Sequence, residues 1–105
     1  MAKYRNKRTE VDGLVFASQK EALRYQELKL LERAGEIFNL MWQRPFQIEV
    51  NGVKICKYVA DFTYSEKGGW YVTEDIKSDV TRKLPAYRLK KKLMLAVHGI
   101  EIREV

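Results

Sequence analysis

Two carboxylates and one ammonium in the second half of the chain have the types and spacing of a phosphodiester-hydrolysing site. Asp61 stands near the end of one predicted strand, and Asp75 and Lys77 stand two residues apart on the next one. Residues two apart on a strand point to the same face, so Asp75 and Lys77 should share a side while Glu74 faces the other. If the two strands pair antiparallel, the turn at residues 65–69 brings Asp61 toward Asp75.

Such a cluster suits magnesium chemistry. Carboxylate oxygens are hard ligands, and Mg²⁺ usually takes one or two carboxylates together with waters and phosphate oxygens. The metal polarises the phosphoryl group and lowers the pKa of a bound water, and Lys77 could orient that water or help to deprotonate it. Glu21 from the first helix is the expected third acidic ligand of Mg²⁺, or of Mn²⁺ in its place, and the main-chain carbonyl of Ile76 is a further one.

Each of these residues also has a purely structural interpretation. Ser18 and Glu21 have the form of a capping box, which needs no catalytic role for the glutamate. Asp75 and Lys77 could be a plain surface ion pair, which contributes little. Glu74 competes with Asp75 as the metal ligand, although the alternation of strand side chains favours Asp75.

Two helices are predicted to flank these strands. The first runs from Ser18 to Ala34 and stops at Gly35, and the apolar side assigned to it is that of Leu23, Leu30, Leu31 and Ala34. The second begins at Pro85, which suits a first helical turn, and ends at Gly99.

Alternating apolar and polar residues predict the strands, and Asn51-Gly52 is a strong hairpin signal. The predicted strands are residues 46–50, 53–64, 70–77 and 100–103. The order helix, three-stranded meander, helix and strand predicts an α/β fold with one mixed sheet flanked by helices.

Composition narrows the class of protein further. The chain has 105 residues and a net charge of +6, which predicts one domain, assigned to residues 13–105, after a basic arm at residues 1–12. No stretch is long and apolar enough to span a membrane, and the lone Cys56 and His98 exclude an internal disulfide and a two-histidine site. We therefore expect a cytoplasmic protein with a polyanionic partner, nucleic acid first.

The basic residues are concentrated in two stretches. A solvated tail and a solvated helix face are the default interpretations, but the same residues could hold the phosphates that flank a scissile bond. No base-reading motif accompanies them, so we expect recognition of DNA backbone and shape. The candidate substrate contacts are Lys3, Arg5, Lys7 and Arg8 in the arm, and Arg82, Lys83, Arg88, Lys91 and Lys92 near the second helix.

The ordered set of motifs resembles the PD-(D/E)XK nuclease superfamily. Asp61, a hairpin and then Asp75-Ile76-Lys77 are similar to its signature, although Ala60 stands where its name-giving proline would be. Over nearly its full length the chain also resembles a small phage-borne family of nuclease-like proteins, long known only as a domain of unknown function. That resemblance rests on the stretches 7–13, 18–22, 25–31, 58–62, 74–77 and 89–93.

The resemblance implies a restriction-endonuclease-like core and a metal-dependent endodeoxyribonuclease whose first helix supplies Glu21. It also implies that Gln43, which precedes Arg44-Pro45, lines the site or contacts substrate, and an ordinary loop residue is the alternative interpretation. Small resolvases of this superfamily cut branched DNA such as Holliday junctions and act as dimers, so a homodimeric, structure-selective nuclease is the expected form. The alternative is a non-catalytic DNA-binding subunit that keeps a nuclease-like fold.

Overall fold

The structure is a computed structural model that describes residues 8–105, so the predicted contacts of Lys3, Arg5 and Lys7 lie outside the described residues. It is an α/β fold with a four-stranded mixed sheet, a two-stranded sheet and two α-helices. The elements in chain order are β1 (Thr9–Val11), β2 (Leu14–Phe16), α1 (Gln19–Arg33), β3 (Ile37–Val50), β4 (Val53–Glu66), β5 (Tyr71–Asp75), a 3₁₀ turn (Thr81–Lys83), α2 (Pro85–His98) and β6 (Arg103–Glu104).

The larger sheet has the strand order β3-β4-β5-β6. Its first two pairs are antiparallel, and β6 lies parallel to β5. The meander and its return strand therefore have the predicted order. Neither helix of residues 8–105 has the length and apolar character that a membrane span requires.

The N-terminal hairpin of β1 and β2 was not predicted, because Thr9–Val11 had been assigned to the arm. Asp12 and Gly13 turn the chain with positive φ angles, and Val11 and Leu14 then pack against the apolar cluster around α1. Strands of three residues carry too little alternation to be recognised from sequence.

The predicted apolar face of α1 is wrong. Ala22, Tyr25 and Leu28 are buried, whereas Leu23 and Leu30 are 61% and 63% exposed. Leu31 and Ala34, the other two residues of the predicted face, are exposed as well. Tyr25 and Leu23 differ by about 200° around a helix that turns about 100° per residue, so only one of their sides can meet the sheet. Tyr25 packs on the ring of Phe16 at a centroid distance of 5.1 Å, and this aromatic contact fixes which side is buried.

Strand β3 begins nine residues earlier than predicted, at Ile37 instead of residue 46. Asn39 and Gln43 have φ angles of 56° and 54°, and such left-handed residues break the alternation that would reveal a strand. Pro45 is tolerated within it because β3 is an edge strand. The turn to β4 is the predicted Asn51-Gly52, with φ angles of 52° and 78° as in a type I′ turn.

The two helices cover opposite faces of the sheet. Glu74 bonds to Arg24 of α1, whereas the next residue, Asp75, bonds to Tyr58, which packs in a cluster with Tyr87 and Met94 of α2. Successive strand residues point to opposite faces, so the α1 cluster and the α2 cluster lie on different sides.

Strand β4 changes face at Asp61. Tyr58 and Ala60 belong to the α2 cluster, but Phe62 and Tyr64 belong to the α1 cluster, although all four have the same parity. On the neighbouring strand β3, Gln43 lies opposite Asp61, because Arg44 pairs with Ala60 and Trp42 with Phe62. Gln43 has a positive φ angle, so the backbone of β3 is irregular at the same level. Asp61 is therefore at a crossover where both faces of the sheet can be reached.

Candidate functional site

Asp75 and Lys77 meet on the α2 face, as the strand alternation predicted. The Asp75 side chain is 2% exposed, and its Oδ1 lies 3.3 Å from Lys77 Nζ. The hydroxyl of Tyr58 donates to Asp75 Oδ2, and the Lys77 ammonium lies 4.5 Å from the centre of the Tyr87 ring. Since Asp75 is buried, the interpretation as a plain surface ion pair does not hold.

Asp61 lies beside Asp75. The main-chain N–H of Ile76 donates to Asp61 Oδ2 over 2.8 Å, which fixes the carboxylate against the end of β5. Burial raises the pKa of Asp61, and the nearby Glu21 carboxylate raises it as well, while contacts with Asp75 and the Ile76 N–H act in the opposite direction. The predicted main-chain ligand Ile76 thus contributes its N–H to the site, and the role of its carbonyl stays a prediction.

The two aspartates titrate as a coupled pair. Burial raises the pKa of Asp75 to about 7, and the hydrogen bond and charge of Asp61 add to that effect. Tyr58 and Lys77 favour the ionised form but do not outweigh burial. Burial also raises the pKa of Tyr58, so its hydroxyl remains a donor to Asp75. Two adjacent carboxyl groups in a low-dielectric site disfavour ionisation of both, so the second proton is lost only at higher pH, and a bound cation would favour its release.

Glu21 brings a third carboxylate to this pair while also serving α1. Ser18 Oγ accepts from the Glu21 N–H at 3.1 Å, which caps the helix as predicted. Glu21 Oε2 accepts from the Ala17 N–H at 3.2 Å, one residue before the position a capping box uses. The side chain is buried and lies close enough to Asp61 to interact with it. The structural and the functional interpretations of Glu21 are therefore compatible.

Across residues 8–105, no group of three or more His, Cys, Asp or Glu side chains is already arranged around a cation position. The donor chemistry of Glu21, Asp61 and Asp75 nevertheless fits a hard divalent cation, because all three supply carboxylate oxygens. Each of the three has one oxygen bound to a protein donor, namely Ala17 N–H, Ile76 N–H or the Tyr58 hydroxyl. Of these three acids, Asp75 also forms an ion pair with the ammonium of Lys77.

Glu74 lies on the opposite face of the sheet from Asp75. Its carboxylate is fully buried on the α1 face, where Arg24 Nε donates to Oε1 at 2.9 Å and the Tyr64 hydroxyl donates to Oε2. This ion pair raises the pKa of Arg24. Glu74 is thus a structural acid with its own cation, and of the two neighbouring acids only Asp75 stands with Asp61.

Asp75 and Lys77 open into a cleft of about 290 Å³ between β4 and α2. Several of its residues, among them Tyr58 and Lys90, were not predicted from the sequence as part of the site. Lys20 was also missed, and its Nζ donates to the main-chain oxygen of Lys77 at 3.1 Å. The other residues lining the cleft are Lys57, Tyr58, Val59, Ala86, Tyr87 and Lys90.

The predicted substrate-contacting residues are distributed differently. The register of β3 and β4 puts Gln43 opposite Asp61, next to the site. A separate groove is lined by Arg82, Arg88, Lys91 and Lys92, together with the acids Glu101 and Glu104. Lys83 is exposed on the 3₁₀ turn, and Arg8 is exposed just before β1.

Fold and site together define an α/β protein with buried carboxylates beside a lysine at the crossover of its sheet. The chain belongs to the family described as "Protein of unknown function (DUF1064)", whose model matches residues 1–103. The prediction of a family of unknown function is confirmed, while membership of the PD-(D/E)XK superfamily stays a prediction. Comparisons with curated proteins and with solved structures gave no significant match.

Proposed function

We propose that the protein is a divalent-metal-dependent endodeoxyribonuclease related to the PD-(D/E)XK nucleases. The observation that carries the proposal is the convergence of Glu21, Asp61 and Asp75 with the ammonium of Lys77 at one crossover of the sheet. Glu21 and Asp75 are buried, Asp61 is half-buried, and one lysine pairs with them, so ionisation of all three acids would leave negative charge that a bound cation would compensate.

Each residue of the site would have a distinct role in the reaction. Mg²⁺, or Mn²⁺ in its place, supplies Lewis-acid polarisation of the phosphoryl group and a more acidic water. Asp61, Asp75 and Glu21 would hold the ion, and the Ile76 N–H keeps Asp61 oriented. Lys77 is held over the Tyr87 ring, from where its ammonium can orient the attacking water and offset charge in the transition state.

The fold supports the proposal at the level of element order. A helix, a three-stranded antiparallel meander, a second helix and a strand parallel to the third follow one another, as expected for a restriction-endonuclease-like core. We extend the proposal to branched DNA, to a symmetric homodimer that cuts two strands, and to action in the cytoplasm of a phage-infected host. A net charge of +6 favours a polyanionic substrate, and DNA is the one proposed.

One observation favours a second candidate, a non-catalytic DNA-binding subunit. No preformed cation position exists among the described residues, and Asp75 is held by the Tyr58 hydroxyl and by Lys77. In such a protein the acids would stay protonated or paired, and DNA would bind without being cut.

A cleavage assay separates the two candidates. A panel of labelled junction, flap, nicked and linear DNAs is incubated with Mg²⁺ or Mn²⁺ and the wild type, Asp75→Asn, Lys77→Met or Asp79→Asn. Asp79 is an exposed acid two residues beyond Lys77, so its variant removes the same charge outside the site. We expect cleavage by the wild type and Asp79→Asn, and a loss of about 10²–10⁴-fold for Lys77→Met.

Absence of cleavage by the wild type on every substrate, or equal cleavage by Asp75→Asn, would refute the nuclease. DNA binding without cleavage would favour the non-catalytic subunit.

A further inference from the structure

Two basic surfaces lie on different sides of α2. Tyr87 and Lys90 face the cleft that holds Asp75, whereas Arg88, Lys91 and Lys92 face the separate groove. Lys90 is two residues away from both Arg88 and Lys92, so it points to the opposite side of the helix from them, whereas Lys91 lies between and is four residues from Tyr87. The charges of Lys90 and of Arg88 and Lys92 can therefore be removed separately.

The cleft surface, which we define as Lys57, Lys77 and Lys90 around Asp75, places three basic residues beside an acid of the proposed reaction. Within residues 8–105, neither Lys57 nor Lys90 forms an ion pair with a carboxylate, and both line the same cleft as Asp75. Lys57 is exposed on β4 and Lys90 is half-buried on α2, so the two residues belong to opposite walls of the cleft.

The groove surface, defined as Arg82, Arg88, Lys91 and Lys92, is partly neutralised from within. Lys91 Nζ lies 3.2 Å from Glu104 Oε2, and Glu101 lines the same groove. The Tyr87 hydroxyl also donates to Glu104 at 2.7 Å, which fixes that acid beside the helix. Both surfaces have a formal surplus of two positive charges, but only the cleft contains an acid of the proposed reaction.

We propose that Lys57 and Lys90 form the seat for the backbone phosphates next to the reacting one. The ligand class is a polynucleotide phosphodiester backbone, and the strand crosses the sheet between β4 and α2. This inference rests on the proposed function. It moves the main substrate contact from the residues predicted by sequence near the second helix to a cleft lined by Lys57 and Lys90, which were not among the predicted contacts. Phosphate contacts of this kind position a strand without reading its sequence.

Binding measurements without metal test the seat independently of cleavage. Fluorescence anisotropy of labelled DNA in EDTA is followed at several NaCl concentrations for the wild type and two double variants. Lys57→Gln/Lys90→Gln removes two charges from the cleft, and Arg88→Gln/Lys92→Gln removes two from the groove. Thermal melting of both variants checks that they are folded.

We expect the cleft variant to weaken binding at least about tenfold and to reduce the slope of log K against log salt by about 1–2. The groove variant should change affinity by less than about threefold, as expected for charges that contact no phosphate. An equal or larger effect of the groove variant would overturn the inference, as would a wild type that binds no DNA. If the wild type binds through the cleft but never cuts with Mn²⁺, the nuclease proposal fails while the seat stands.

Discussion

Replacing Asp75 by Asn is predicted to stabilise the protein at alkaline pH. Asn has the shape of a protonated Asp and can still accept the hydrogen bond from Tyr58. In the folded wild type, burial and Asp61 raise the pKa of Asp75 from 3.8 to about 7. The folded state therefore binds more protons than the unfolded state between these two pH values, so stability falls as pH rises through that window.

The magnitude follows from the width of the window. A difference of about three pH units, at about 1.4 kcal/mol each, makes ionised Asp75 destabilising by about 4 kcal/mol above pH 7. Most of this loss, about 3 kcal/mol, falls between pH 5 and pH 8. The Asn variant lacks this contribution, so at pH 8 its free energy of unfolding should exceed that of the wild type by up to about 4 kcal/mol. Asp61, whose pKa is also raised, continues to titrate and leaves part of the slope.

The assay is urea unfolding followed by tryptophan fluorescence at pH 5, 6, 7 and 8, in EDTA. Glu74→Gln is the matched control, since it makes the same change at the adjacent residue on the other face of the sheet. Glu74→Gln removes the charged partner of Arg24, and the buried ion pair between them raises the pKa of Arg24. Because the variant leaves a buried charge unpaired, it should lower the free energy of unfolding by about 3 kcal/mol at every pH. Groups that titrate in all three proteins cancel in the comparison.

Two results would refute this reasoning. If Asp75→Asn kept the full slope of the wild type between pH 5 and 8, Asp75 would not be the group that titrates there. If Asp75→Asn instead destabilised the protein at pH 8, as Glu74→Gln is expected to do, the Asp75–Lys77 ion pair would be stabilising. Ionised Asp75 would then not be the unfavourable buried charge that this reasoning requires.

Further predictions concern metal binding and packing. At pH 8, Mn²⁺ at 100 times its dissociation constant should raise the free energy of unfolding of the wild type by about 2.7 kcal/mol, and Asp61→Asn should abolish this; a gain that persisted would mean that metal binds elsewhere. Thr63 and Thr73 face each other across β4 and β5 with buried hydroxyls that have no partner, so each Thr→Val change should raise stability in urea unfolding by about 1 kcal/mol, and a loss would reveal a bound water. Leu28→Ala should cost about 2–5 kcal/mol and the exposed Leu23→Ala less than about 0.5 kcal/mol in the same assay, and equal costs would contradict the buried face of α1.

Helix ends and turns were predicted well where the local conformation can be adopted by only a few residue types. Ser18 caps α1, Asn51-Gly52 forms the hairpin turn, and Gly99 ends α2 with a φ of 67°. In each case a side-chain acceptor or a left-handed backbone is required, and few residues supply it. The order of elements follows from these points, which is why the meander and its flanking helices were recognisable.

Long-range packing was predicted poorly, because it depends on partners far away in sequence. Leu23 and Leu30 are apolar but exposed, and the side of α1 that is buried is instead the one where Tyr25 contacts the rings of Phe16, Trp42 and Phe62. The N-terminal part of β3 was missed because Asn39 interrupts its alternation.

The site shows the same division between local and distant information. Asp75 and Lys77 were assigned to one face by alternation along a single strand, which needs no knowledge of distant residues. Lys57 was not assigned, because the cleft it lines with Lys90 exists only after α2 packs on the sheet.

The acids of the site matter for their charge and not only for their shape. Glu21 accepts one hydrogen bond from Ala17, and Asp61 accepts one from Ile76. A glutamine or asparagine oxygen could accept either bond, because an amide carbonyl is also an acceptor. The amide would avoid the repulsion and desolvation that raise the pKa values of Asp61 and Asp75. Helix capping and strand docking therefore explain the acceptor atoms but not the negative charges. A divalent cation would use those charges, so the acid-to-amide variants that stabilise the protein should be the ones that abolish its metal response.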